Sequence, residues 1–87
     1  MTEAATQIRV HVRLFAAYRE AAGTTRLDAP LPAGATVQDL LDSLADRIPS
    51  LKTAPGLVAV NLTYRDNSAA LNDGDEVALI PPVSGGA

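Results

Sequence analysis

One segment carries the strongest periodic signal in the chain. Val37, Leu40, Leu41, Leu44 and Ile48 fall at i, i+3, i+4, i+7 and i+11, which is a single apolar stripe on a helix. Gln38, Asp39, Asp42, Ser43 and Asp46 lie mostly off that stripe. A helix with one apolar stripe has to cover one surface and is solvated elsewhere, so the rest of the chain must build that surface. Thr36 is suited to cap the helix, and Asp39 three residues on supplies a weak form of the capping box. Its carboxylate also complements the positive helix N-terminus. Pro49 sets the predicted end, giving a helix over residues 37–48.

The flanking segments read as strands. Ile8, Val10, Val12 and Leu14 alternate with Arg9, His11 and Arg13, the period of a half-buried strand with a basic outer face. On this reading His11 is a solvated strand residue. Residues 15–22 are Ala-rich and predict a short helix ended by Gly23. Residues 24–29 predict a second strand, antiparallel to the first, with Leu27 inward and Pro30 and Pro32 closing it. Residues 50–56 read as an irregular link. Residues 57–61 form a short apolar run typical of a buried strand, and 62–65 continue the pairing beyond a bend at Asn61. Asp66, Asn67 and Ser68 are turn material, Leu71 a core anchor, and residues 72–75 (Asn-Asp-Gly-Asp) a strong turn signal. Asp73 and Asp75 are therefore assigned to the turn rather than to a metal or acid–base pair. In the last strand, 76–80, Val77 and Leu79 face the core and Ile80 faces outward.

This order predicts an α+β layer, with a mixed sheet packed on one main helix and its other face open to solvent. The first and last strands pair in parallel at the sheet centre. Residues 1–80 form one domain with a loose leader at 1–6, and residues 81–87 form a tail.

Composition narrows the chemistry. Among 87 residues there is no cysteine, which removes disulfides, thiolate zinc sites and a thiol nucleophile. A single histidine makes no multi-histidine metal site. Seven basic residues against ten acidic ones, a net charge of −3, argue against a nucleic-acid partner and for a protein partner with a basic docking surface. No apolar run has the length of a membrane span, and residues 1–6 carry neither a basic nor an apolar leader region, so a cytoplasmic protein is expected. Neither a phosphate-binding Gly-rich Lys-Ser/Thr loop nor a dinucleotide fingerprint is present, so no bound cofactor is expected.

The tail reads Pro81-Pro82-Val83-Ser84-Gly85-Gly86-Ala87. The two prolines stop a strand and project the chain, and the two glycines make its end narrow. Such a segment is either a frayed terminus or an arm that enters another protein's active site.

Three stretches resemble one family. Leu14-Phe15-Ala16 with Arg19-Glu20 and Gly23 is similar to the first strand-to-helix segment of the small subunit of molybdopterin synthase (the MoaD family). Val60-Asn61, then residues 71–77, resemble its later strands and turn, and residues 81–86 its C-terminal tail. The fixed distance between the Asp-Gly-Asp-Glu-Val turn and Pro-Pro-Val-Ser-Gly-Gly is the specific part. The order of elements is that of the β-grasp, or ubiquitin-like, fold. Sulfur carriers of the thiamine pathway resemble the fold too, in chains usually shorter and without the Pro-Pro exit.

The resemblance implies a non-catalytic sulfur carrier. An E1-like partner uses ATP to adenylate the terminal glycine carboxylate, here Gly86, and sulfur then replaces AMP to give a thiocarboxylate. The tail of Pro81, Pro82, Val83, Ser84, Gly85 and Gly86 enters a large synthase subunit and donates sulfur to a pterin precursor during molybdenum cofactor biosynthesis. Docking candidates are Ile80, beside the tail, Tyr64, where the family has an apolar partner-facing residue, and Arg19. Tyr64 can instead cap a strand pair, and Arg19 can be a solvated helix residue. Ala87 departs from the pattern, because it holds the Gly86 carbonyl in a peptide bond. It is a residue to be removed, part of a longer precursor, or itself the activated end. A ubiquitin-like protein modifier, a carrier for thiamine or tRNA thiolation, and a β-grasp module with an inert tail remain alternatives.

Overall fold

Alternation along β1 (Gln7–Leu14) puts Val10, Val12 and Leu14 on one face, where all three are buried, while Arg9 and Arg13 stay exposed on the other. The computed structural model describes residues 7–53 and 56–82. The proposed leader (1–6) and the tail beyond Pro82 lie outside the described residues. After β1 come α1 (Ala16–Ala22), β2 (Arg26–Pro32), α2 (Val37–Leu44), α3 (Ser50–Thr53), β3 (Leu57–Val60), β4 (Thr63–Tyr64) and β5 (Glu76–Ile80). The strands form one sheet in the order β2-β1-β5-β3-β4. Among the described residues only β1 and β5 pair in parallel, with Val12 opposite Val77 and Leu14 opposite Leu79. As expected, the first and last strands lie side by side at the sheet centre.

The helical stripe does cover the inner sheet face. Val37, Leu40, Leu41, Leu44 and Ile48 are all buried with Val10, Val12, Val58, Val60, Val77 and Leu79. The capping box is complete: the Asp39 amide donates to Thr36 Oγ1 at 3.3 Å and the Thr36 amide to Asp39 Oδ2 at 2.9 Å. The helix is shorter than its stripe, however, ending at Leu44 rather than continuing to Ile48. The Ala45 and Arg47 amides bond three residues back, to Asp42 and Leu44, so the chain tightens after the helix. Pro49 disfavours helical geometry at the residue before it, and Ile48 reaches the core from this tightened turn.

Two further expectations are corrected. Pro30 and Pro32 lie within β2 instead of closing it. β2 is an edge strand, and β1 turns its odd-numbered amides toward β5, as the bond from His11 N–H to Asp75 O shows. The Gln7–Pro32 and Arg9–Pro30 pairs therefore place the proline nitrogens on the outer edge, where no ladder bond is lost. Residues 50–56 are not wholly irregular either: α3 is a single helical turn that buries Leu51.

Gly23 ends α1 with φ 77°, in the left-handed region. The turn at 72–75 does more than reverse the chain. Gly74 takes φ 86° and its amide donates to Arg9 O at 2.8 Å, while Asp73 Oδ1 accepts from the Arg9 amide at 2.8 Å. Asp75 Oδ2 accepts from the Asn72 amide. Both carboxylates thus serve the turn, which prolongs the β1–β5 ladder. Asn61, with φ 50°, joins it from the β3–β4 turn: its side chain donates to Asp75 Oδ1 and accepts from the Glu76 amide, each at 3.0 Å.

Replacing the capping hydroxyl, Thr36→Ala, is expected to destabilise the fold by about 1 kcal/mol. Thermal unfolding should register this as a fall in Tm of about 4–8 °C.

Candidate functional site

The residues that alternate away from the core make the open sheet face. Leu57 is opposite Ile80, and Ala59 is opposite both Ala78 and Tyr64. These five side chains form a contiguous apolar patch beside the end of β5, with Leu57 55 % and Tyr64 66 % exposed. Ile80 is half-buried, and Pro81 and Pro82 continue directly from it. The structure therefore brings Ile80 and Tyr64 together on one surface at the tail exit. Arg19 does not join them. It is exposed on α1 and lines a separate depression with Arg13, Phe15 and Arg26. Val83, Ser84, Gly85 and Gly86 lie outside the described residues.

Leu57 was missed by reading its strand as wholly buried. Period two separates Leu57 and Ala59 from the buried Val58 and Val60, and that alternation was available in the sequence. Leu62, 96 % exposed at the β3–β4 turn with φ 73°, carried no such signal.

The other half of the open face is charged. His11 Nδ1 and Asp28 Oδ1 are 2.8 Å apart across β1 and β2, and Arg26 Nη2 stands 3.9 Å from Glu76 Oε2. The hydrogen bond with His11, aided by the charges of Arg9 and Arg26, holds the Asp28 carboxyl below its ordinary range. Arg9, Arg13 and Arg26 outnumber Asp28 and Glu76 here. The whole-chain charge led to an expected basic partner surface, but this face carries more cations than anions and complements acidic groups instead. Among the described residues, no three His, Asp or Glu side chains are arranged to hold a metal ion.

A helix lying across a mixed sheet whose first and last strands pair in parallel defines the β-grasp class. A family profile described as the ThiS family matches residues 12–86. The molybdopterin synthase sulfur carrier subunit of Arabidopsis thaliana is 40 % identical over 83 residues, covering 93 % of this chain and 86 % of that protein. Among solved structures, a putative molybdopterin converting factor subunit 1 from Pyrococcus furiosus superposes with a TM-score of 0.77 at 34 % identity, covering 87 % of this chain and 99 % of that one. Small archaeal modifier protein 1 of Haloferax volcanii gives 0.76 at 31 % identity, covering 87 % and 99 %. A chain from a complex of subunits 1 and 2 of molybdopterin-converting factor from Helicobacter pylori gives 0.60 at 26 %, covering 90 % and 99 %. The chain belongs to the ThiS family, in the branch of ubiquitin-like sulfur carriers that the MoaD resemblance indicated.

The lowered Asp28 carboxyl has a defined pH consequence. A group with a depressed folded pKa contributes stability above its ordinary value of 3.8, and that contribution is lost as pH falls through the folded value. Denaturant unfolding across the acid range should show the wild type losing stability as Asp28 protonates. Asp28→Asn should flatten that limb while leaving the neutral side unchanged in slope.

Proposed function

We propose that this protein is the sulfur-carrier small subunit of a molybdopterin synthase. The observation that carries this reading is a match extending through both body and tail. The family profile stops at Gly86, and relatives bearing that function align over almost the whole chain. The fold supports it mechanically, since the tail continues from a strand paired on both sides.

A carboxylate is a poor electrophile with a poor leaving group. In the proposed cycle the Gly86 carboxylate attacks the α-phosphorus of ATP on an E1-like partner, and pyrophosphate leaves. The terminal sulfur of a persulfide donor attacks the acyl carbon and AMP leaves, and a thiol on the donor side then attacks the resulting acyl disulfide, releasing the thiocarboxylate and leaving a disulfide behind. The chain has no cysteine to hold sulfur, so the terminal acyl group is the carrier. Gly85 and Gly86 present no side chain to a narrow channel. Peptide hydrolysis between Gly86 and Ala87 precedes activation. The protein itself binds no cofactor and catalyses no step. It works in the cytoplasm beside the activating enzyme and a large synthase subunit that takes sulfur to a pterin precursor. Leu57, Ala59, Ala78, Ile80 and Tyr64 are the proposed docking patch, and Arg19, apart from it on α1, is left out.

The test uses a chain ending at Gly86, incubated with ATP, the activating enzyme and a sulfur source. Its intact mass should rise by one exchange of oxygen for sulfur, while a chain still ending in Ala87 stays unchanged. A Gly86-terminated chain that gains no sulfur would overturn the proposal. In a second experiment, Ile80→Asp should weaken binding to the large subunit about tenfold or more, measured by calorimetry, because it buries a charge in an apolar contact.

The likeness to small archaeal modifier protein 1 supports a second role, conjugation to protein lysines through Gly86. Isopeptide-linked products in cells that vanish on deletion of Gly86 would establish it.

A further inference from the structure

Four glycines in the described residues divide into two kinds. Gly23, Gly34 and Gly74 have φ of 77°, 88° and 86°, and a Cβ on any of them would meet nothing within 4 Å. They are glycines for the sake of backbone conformation. Gly56 is the opposite case. Its φ lies outside the left-handed region, yet a Cβ there would overlap the Ile80 carbonyl oxygen. The same Cβ would come within 2.8 Å of the Ile80 carbonyl carbon and of Pro81 Cα. All three atoms are main chain and cannot rotate aside. Gly56 is a glycine for the sake of proximity, and what it approaches is the peptide at which the tail leaves β5.

The approach is braced from behind. Leu57 pairs with Ile80, so Gly56 stands at the end of the β3–β5 ladder, level with Pro81. On its other side the Gly56 backbone hydrogen-bonds the phenol of Tyr18, a residue of α1 that is only 1 % exposed. Tyr18 and Gly56 line one small cavity with Leu41, Leu51, Val58 and Leu79. Beyond it, Pro81 and Pro82 have restricted φ, so these two residues absorb little of a displacement at Ile80–Pro81.

We infer that Gly56 is a positioning residue that, held by Tyr18, fixes the direction in which the tail leaves the domain. The inference rests on the sulfur-carrier reading, since direction matters only if the carboxyl at the far end has to reach a reacting phosphate. The proposed docking patch lies on the open face, whereas Tyr18 braces Gly56 from the core side. Tyr18, being buried, is no part of the patch's outer face, so a tail misdirected through it should cost turnover rather than affinity.

Wild type, Gly56→Ala and Tyr18→Phe, each ending at Gly86, are compared with the activating enzyme. Calorimetry without ATP gives Kd, and thiocarboxylate formation at varied carrier concentration gives kcat and KM. Thermal melts establish that each variant is folded. Folded Gly56→Ala should lose about tenfold or more in kcat, beyond any change in Kd that its neighbours Leu57 and Ile80 transmit. Tyr18→Phe, which keeps the buried ring but removes the hydroxyl, should shift kcat in the same direction by less. An unchanged kcat in folded Gly56→Ala, or a loss confined to Kd and KM, would overturn the inference. If Gly56→Ala does not fold, Tyr18→Phe decides alone, and an unchanged kcat there overturns it. A wild-type chain that gains no sulfur removes the sulfur-carrier reading itself, an outcome distinct from active wild type with unaffected variants.

Discussion

The parallel pairing of β1 with β5 is the contact on which the rest of this structure depends. It joins the two ends of the domain at the centre of the sheet, with one flank closed by β2 and the other by β3. Parallel neighbours cannot be linked by a tight turn, so the whole intervening chain becomes the crossover. That chain holds α2, whose stripe covers the inner face. The turn at 72–75 then fixes the register by bonding both the amide and the carbonyl of Arg9 before β5 begins. A strand so constrained delivers its last residue, Ile80, to one place.

Much of this was legible because two periods dominate the sequence. The stripe from Val37 to Ile48 and the alternation from Ile8 to Leu14 identified the core residues, and the Asn-Asp-Gly-Asp turn marked the approach to the last strand. What was not legible depended on partners distant in sequence. Pro30 and Pro32 read as terminators because nothing local shows that β2 is an edge whose outward nitrogens need no partner. Ile48 belonged to the stripe but not to the helix, since burial and helical geometry are separate demands and Pro49 opposes only the second. Gly56 looked like the end of a link, because its requirement comes from Ile80 and Pro81, more than twenty positions away in the chain.

The site was legible in a different way. Ile80 and Tyr64 came from strand alternation and family likeness, and they do share a surface, joined by Leu57. Arg19 came from likeness alone and sits elsewhere. Net charge misled about the open face, because the acidic residues are not spread evenly. Asp39, Asp42 and Asp46 lie on or just beyond α2, whereas Arg9, Arg13 and Arg26 collect on the sheet. An overall charge describes how a molecule behaves at long range, while recognition at contact depends on which element carries each charge.

The prolines of β2 bear on how such a protein survives at high concentration. A five-stranded sheet has two free borders, each a possible template for another molecule's backbone. On one border Pro30 and Pro32 remove the donors that an incoming strand would need, and on the other β4 is only two residues long. A small protein with an open apolar patch is thereby denied the simplest route to fibrous self-association, and contacts through its side chains are left available.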